Sequence, residues 1–125
     1  TAEMEEIVAY HHSVAECAVI GINDELKGQI PLALVVAKSG EDIEHFQLQH
    51  EVVHLVREQI GAVASLRDVV IVQRLPKTRS GKILRKMMRS IADGEQFQVP
   101  STIDDEAIID EIRDVLEHAK IGCFK

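Results

Sequence analysis

Two short apolar runs, "VAECAVIGI" (Val14–Ile22) and "QIPLALVVA" (Gln29–Ala37), are separated by only the six residues "NDELKG". They constrain the fold more than any other feature. Each run is rich in β-branched and aliphatic residues, and the connection is built from Asn, Asp and Gly. Such a pair reads as two antiparallel strands joined by a tight turn. Pro31, near the start of the second run, has no N–H to donate, which predicts an edge position or a bulge there. A third run, "VVIV" (Val69–Val72), is long enough for only a short buried strand.

The remaining segments carry helical periodicity. Residues 1–12 form a short pattern with Thr1 as a candidate cap, acids in the first turn, and Met4, Ile7 and Val8 on one face. A longer pattern runs from near Ile43 to Gly61. Phe46, Val52, Val53, Leu55, Val56 and Ile60 make a broad apolar face, and Gly61 closes it. Helices are also predicted from near Ile83 to about Ala92, and from Asp104 to about Ala119. The last should bury Ile108, Ile109, Ile112, Val115, Leu116 and Ala119. "DGEQFQVPST" (93–102) reads as loop, with at most a short extended piece. The expected architecture is one α+β domain of 125 residues, with a small three-stranded, largely antiparallel sheet covered by helices.

Charge is unevenly distributed. The net charge is -7, yet seven of the 14 lysines and arginines fall between Arg74 and Arg89, where there is no acid. All 21 acids lie elsewhere, against the other seven cations. Overall acidity argues against non-specific nucleic-acid binding. So does an aromatic content of 3%, since single-strand binders recruit aromatic platforms. A local cationic focus in an acidic chain points instead to a compact anion, such as a phosphorylated cofactor or a carboxylate. No apolar stretch reaches the ~18 residues of a membrane span, and no signal peptide is visible. Cys17 and Cys123 make no disulfide framework and read as two free thiols, Cys17 as a small buried hydrophobe.

"HEVVH" (His50–His54) matches the H-E-x-x-H zinc pattern. The helical wheel, however, puts both histidines on the polar face beside Gln47 and Arg57, opposite the stripe centred on Val52, Leu55 and Val56. No further His motif supplies a third ligand, so solvent-facing histidines are the stronger reading and no metal site is expected. His11, His12 and His45 read as structural.

"RLPKTRSGKILRK" (Arg74–Lys86) carries the chemistry. Its Ser-Gly-Lys resembles the end of a Walker loop, but residue 76 is Pro where that loop needs Gly, and Ile83 follows the lysine where it needs Ser or Thr. Pro76 and Gly81 exclude a regular element here. The loop was expected to lead straight into a helix whose free N–H groups favour an anion, with Lys82 reaching outward as a point charge. A solvated basic turn remains the competing reading of these residues.

"LPKTRSGKILRKMMR" strongly resembles the C-terminal signature of the adenylate-forming enzymes: acyl-CoA synthetases, peptide-synthetase adenylation domains and luciferases. The spelling Pro76-Lys77-Thr78-Arg79-Ser80-Gly81-Lys82-Ile83-Leu84-Arg85 looks most like the acetyl- and propionyl-CoA synthetases. "VAECAVIGINDELKGQIPLALVV" and "VREQIGAVASLRDVVIVQRLPKTRSGK" extend the resemblance over nearly the whole chain, and "KGQIPLALVV" and "STIDDEAI" lean toward the propionyl branch.

The resemblance implies a mobile C-terminal domain, residues 1–125, of a longer enzyme whose large N-terminal adenylation domain and hinge are absent. The chain opens on Thr1 and reads as a fragment, inactive alone. The implied reaction converts ATP, a short carboxylate and CoA into acyl-CoA, AMP and pyrophosphate, with Mg2+ held with ATP outside this domain. By the same resemblance Lys82 is the catalytic lysine of the first half-reaction, while Arg57 and Arg85 contact cofactor, Arg57 at CoA. The resemblance also makes Lys82 a site of reversible acylation that switches the enzyme off. The implied partners are the linked N-terminal domain, ATP, acyl-adenylate and CoA, with no nucleic acid or membrane, in the cytoplasm or the mitochondrial matrix. A stand-alone module binding CoA or another phosphorylated ligand through the basic loop is the alternative.

Overall fold

The structure, a computed structural model, describes residues 2–40, 43–61 and 66–125. Thr1, the candidate cap of the first helix, lies outside the described residues, as do Glu41, Asp42 and residues 62–65. The element order is α1 (Ala2–Ala9), β1 (Val14–Asp24), β2 (Gly28–Ala37), α2 (His45–Ile60), β3 (Asp68–Ile71), α3 (Arg85–Asp93) and α4 (Ala107–Ala119), then a 3-10 turn over Gly122–Phe124. The fold is mixed α+β around a three-stranded sheet of order β1-β2-β3.

The hairpin forms, and it is longer than the apolar runs. Asn23 and Asp24 pair with Gln29 and Gly28, which leaves a turn of only three residues. The Asp24 carboxylate accepts from the N–H groups of Leu26 and Lys27, and Gly28 leaves the turn at φ 83°. Polar residues therefore enter the strands because the turn supplies its own hydrogen bonds. β3 then joins β2 in parallel, through the crossover that α2 provides.

Pro31 departs from its expected edge position: β2 is the central strand, with Pro31 opposite Gly21 of β1. The reason is the shortness of β3. Its pairing reaches only from Val35 to Leu32, so no strand flanks Pro31 on that side among the described residues.

Both sheet faces are covered, which is why the strands read as continuous apolar runs rather than alternating ones. Ala18, Ile20, Ile22, Leu32, Leu34 and Val70 point to one face and pack with Met88 and Ile91 of α3 and with Ile108, Ile112 and Leu116 of α4. Cys17, Val19, Ala33, Val35 and Val69 point to the other and pack with Val8 of α1 and with Leu48, Val52 and Val56 of α2.

The helices correct several boundaries and faces. α1 ends at Ala9, so His11 and His12 follow it rather than close it. On α2 the buried row is Leu48, Val52 and Val56, and Phe46 is 69% exposed. At ~100° per residue Phe46 lies ~200° from Leu48, on the far side of the helix. On α4 the buried row is Ile108, Ile112 and Leu116, and Ala119 is exposed. The chain end hooks back: Ile121 is buried, and Gly122, at φ 66°, lies so close to Ala92 that a Cβ would stand 2.2 Å from its carbonyl oxygen.

Candidate functional site

Between β3 and α3 the chain does not run straight into a helix. The signature folds into its own small hairpin. The Leu84 N–H donates to the Pro76 carbonyl at 2.9 Å, and the Thr78 N–H donates to the Lys82 carbonyl at 2.9 Å. Lys77 bridges Ile83 across the two arms. At the tip Gly81 adopts φ 94°, and its N–H donates to the Thr78 carbonyl at 2.9 Å. A third piece of extended chain pairs with the incoming arm from outside. Thr78 bridges Ile103, the Arg79 N–H donates to the Thr102 carbonyl, and the Asp104 N–H donates to the Lys77 carbonyl.

Thr78, which sequence reasoning left without a role, stabilises the tip. Its Oγ1 accepts from the Lys82 N–H at 3.1 Å and lies 3.0 Å from the Ser80 hydroxyl. The signal available was the Thr four residues before the lysine, a spacing that lets a short hydroxyl reach the backbone inside a tight turn.

This geometry moves the expected helix start away from Lys82. The N–H groups of Gly81, Lys82 and Leu84 are all bonded within the hairpin. α3 starts at Arg85, two residues later than expected. Around Lys82 itself, then, the hairpin offers an anion side-chain charge rather than the N–H groups of Gly81, Lys82 and Leu84.

That charge divides into two sets. Arg74 is clamped by Glu111 (3.1 Å from Nε) and Asp105 (2.9 Å), Lys77 pairs with Glu16, and Arg85 grips Glu5 with a two-pronged contact. Hydrogen bonds from Arg74 hold the Glu111 carboxyl below the ordinary range; for Asp105 the Ala107 N–H contributes most, with Arg74 adding to it. Arg79, Lys82, Lys86 and Arg89 are exposed and have no side-chain partner among the described residues. Three cations thus fix the loop to the body, and four face outward. Lys82, Arg85, Lys86 and Arg89 line an open groove of about 700 Å³, together with Phe97 and Gln98.

Arg57 is elsewhere. It projects from the exposed side of α2 into a separate groove of about 510 Å³, shared with Phe46, His50 and Arg67. Lys82 and Arg57 therefore line separate grooves, one at the signature hairpin and the start of α3, the other along α2.

The histidines of "HEVVH" take separate partners: His54 pairs with Glu58 at 2.9 Å, and His50 lies against Phe46. Glu51 accepts from Gln47 and contacts His11 at 2.7 Å. The His11 Nδ1 accepts the Ser13 N–H, so Nε2 carries the proton that faces Glu51. Among the described residues no group of three His, Cys, Asp or Glu side chains is placed to hold a metal ion. Both cysteines are free. Burial, with the Glu5 charge adding to it, pushes the Cys17 thiol up to about 11, which makes it a poor nucleophile. No described helix is long and apolar enough to cross a membrane.

The fold is thus a helix-covered three-stranded sheet that presents Lys82, without a side-chain partner among the described residues, at the tip of a braced hairpin. Residues 3–82 match the AMP-binding enzyme C-terminal domain, a match that ends on Lys82 itself, and the chain belongs to that family. It is 62% identical over 122 residues to an uncharacterised protein of Pseudomonas aeruginosa, covering 98% of this chain and 19% of that protein. It is 40% identical over 121 residues to a propionate–CoA ligase of Escherichia coli, covering 94% and 19% respectively. Among solved structures, an acyl-CoA synthetase of Brucella canis superposes with a TM-score of 0.64 at 34% identity, over 71% of this chain and 16% of that one. The chain thus spans about a fifth of the length of the curated relatives it matches. It is the C-terminal domain of an enzyme similar to the short-chain acyl-CoA synthetases.

Proposed function

We propose that residues 1–125 are the mobile C-terminal domain of an AMP-forming acyl-CoA synthetase acting on a short carboxylate. ATP and the acid give acyl-adenylate and pyrophosphate; CoA then gives acyl-CoA and AMP. The observation that carries this reading is the Lys82 hairpin: a tip with its backbone groups bonded internally, and an ammonium without a carboxylate partner among the described residues. Such a lysine is suited to a phosphate on another domain. As the carboxylate oxygen attacks the α-phosphorus and pyrophosphate leaves, negative charge grows on the phosphoryl oxygens. A preorganised cation there lowers the barrier without accepting or donating a proton.

The second half-reaction is assigned to another face. Arg57, exposed on α2 beside Phe46, His50 and Arg67, is proposed to contact CoA phosphate. A guanidinium there supplies a planar, always-charged fork suited to phosphate. That Lys82 and Arg57 line separate grooves supports two poses of one domain, each bringing one residue to a shared reaction centre in the N-terminal domain. Mg2+ is proposed to be held with ATP in that domain, where it would offset phosphate charge. Arg85 is also expected at cofactor: it lines the Lys82 groove, while its Nε and Nη2 are engaged by Glu5. The leaning to propionate rests on "KGQIPLALVV" and on the similarity to the propionate–CoA ligase.

The test is to supply the full-length enzyme with ATP, CoA and acids of one to six carbons and measure AMP and acyl-CoA. Equal amounts of both with acetate or propionate are expected, with no turnover by residues 1–125 alone. Release of ADP and phosphate in place of AMP, or no thioester with any short acid, would overturn the reading.

A further inference from the structure

Glu5 and Arg85 are 80 residues apart in sequence and meet face to face. The Arg85 Nε donates to Glu5 Oε2 at 3.1 Å, and Nη2 donates to Oε1. Glu5 Oε2 also accepts the Val19 N–H at 3.0 Å. One carboxylate therefore ties α1, β1 and the first residue of α3 together. Arg85 is only three residues beyond Lys82, directly after the outgoing arm of the hairpin.

The two arms are held differently. The incoming arm, Pro76–Thr78, is paired on both sides: by Lys82–Leu84 on one and by Thr102–Asp104 on the other. The arm that carries Lys82 has the incoming arm on one side and, among the described residues, no backbone neighbour on the other. Its outer side is anchored by side chains instead. Arg85 grips Glu5 and Lys77 pairs with Glu16, and Ile83 and Arg85 line an open groove with Glu5, Glu16 and Cys17 beside α1 and β1. The Glu5–Arg85 contact is the two-pronged tie that fixes the end of the Lys82 arm against the body.

We propose that Glu5 and Arg85 are positioning residues for Lys82: their ion pair sets the reach and direction of the lysine in the first half-reaction, and Arg85 does not bind cofactor. This rests on the adenylation role proposed above for Lys82. A displacement of ~1 Å at a catalytic group can cost up to ~100-fold in rate. Glu5 and Arg85 need not approach the substrate to have an effect of that size.

Two substitutions separate positioning from cofactor binding. Glu5→Gln keeps a carbonyl oxygen for the Val19 N–H but loses the charge that holds Arg85, leaving Arg85 free for a cofactor. Arg85→Lys keeps the positive charge but loses the planar fork. In the full-length enzyme, acid-dependent ATP–pyrophosphate exchange reads the first half-reaction. Thioester formation from added acyl-adenylate and CoA reads the second. Both variants are expected to lower the kcat of exchange by ~10- to 100-fold, with KM for ATP and CoA unchanged and the second half-reaction at the wild-type rate. The doubly exchanged Glu5→Arg/Arg85→Glu variant is expected to recover part of the loss.

A wild-type exchange rate in Glu5→Gln together with a raised KM for CoA or ATP in Arg85→Lys assigns Arg85 to cofactor and overturns the proposal. Equal losses in both half-reactions would mean that the pair only supports the fold, which also overturns it. Lys82→Ala in the same assays keeps the two ideas apart. If it leaves exchange intact, the lysine's role fails; if it abolishes exchange while Glu5→Gln and Arg85→Lys do nothing, only the positioning role fails.

Discussion

Replacing Gly81 by alanine tests whether the shape of the hairpin tip, rather than its charge, governs the lysine. Gly81 holds φ 94°, and nothing stands within 4 Å of where a Cβ would be placed. The substitution therefore meets no steric obstacle, and its cost is conformational: ~1–2 kcal/mol for an L-residue at positive φ. If that cost is relieved by opening the tip, the bonds from the Gly81 N–H to Thr78 and from the Thr78 N–H to Lys82 are lost together. The lysine-presenting state then falls by up to ~5- to 30-fold, and acid-dependent ATP–pyrophosphate exchange should fall with it. If the tip stays closed, the same ~1–2 kcal/mol should appear as lost stability in denaturant unfolding. Gly81→Asn should recover part of either loss, because asparagine tolerates positive φ better than alanine. A Gly81→Ala protein that matches wild type in both unfolding and exchange would refute the reasoning. A Gly81→Asn protein no better than Gly81→Ala would refute the conformational origin.

Two further outcomes concern stability. Leu34 is fully buried on the central strand, facing α3 and α4, so Leu34→Ala should cost ~2–5 kcal/mol in denaturant unfolding, and a loss below ~1 kcal/mol would contradict the packing described. Acid sensitivity should fall in a definite window. Burial raises the Glu5 carboxyl, but hydrogen bonds from Arg85 and the Val19 N–H outweigh it and leave it below its ordinary 4.5. Its stabilisation is therefore complete above about pH 4.5 and is lost as pH falls through the lowered value. Glu5→Gln should flatten the unfolding curve on that acid limb alone, and an unchanged pH profile would contradict the pairing.

The elements were legible where one pattern settles one structure. Apolar runs of strand length with an Asn/Asp/Gly turn between them could become little but a hairpin, and the rows on α2 and α4 follow from helical spacing. The errors arose where a neighbour decides. Pro31 reads as an edge residue because no property of the sequence shows that β3 begins only at Asp68, opposite Leu32 of the central strand. Phe46 looked like core because the wheel was centred without Leu48, the residue that meets the sheet. A loop ending in Gly-Lys reads as an open lead into a helix, whereas here Thr78 and Lys82, and Pro76 and Leu84, pair into a hairpin that Thr102–Asp104 braces from outside, so α3 begins two residues later.

The candidate site was legible in part. The cluster of cations is plain in the sequence, and the signature singles out Lys82. The division of labour within the cluster is not, because it depends on carboxylates far along the chain. Glu5, Glu16, Asp105 and Glu111 each lie more than 25 residues from the cation they hold. Only in the fold do Arg74, Lys77 and Arg85 become fastenings, leaving Arg79, Lys82, Lys86 and Arg89 facing outward.

The most direct test of the account is Lys82→Ala in the full-length enzyme, with the two half-reactions measured separately. Acid-dependent ATP–pyrophosphate exchange should fall by ~100- to 1,000-fold, the scale of removing one preorganised electrostatic contact from a transition state. Thioester formation from supplied acyl-adenylate and CoA should continue at close to the wild-type rate. Exchange that survives the substitution would contradict the account, and so would a loss that falls equally on both half-reactions.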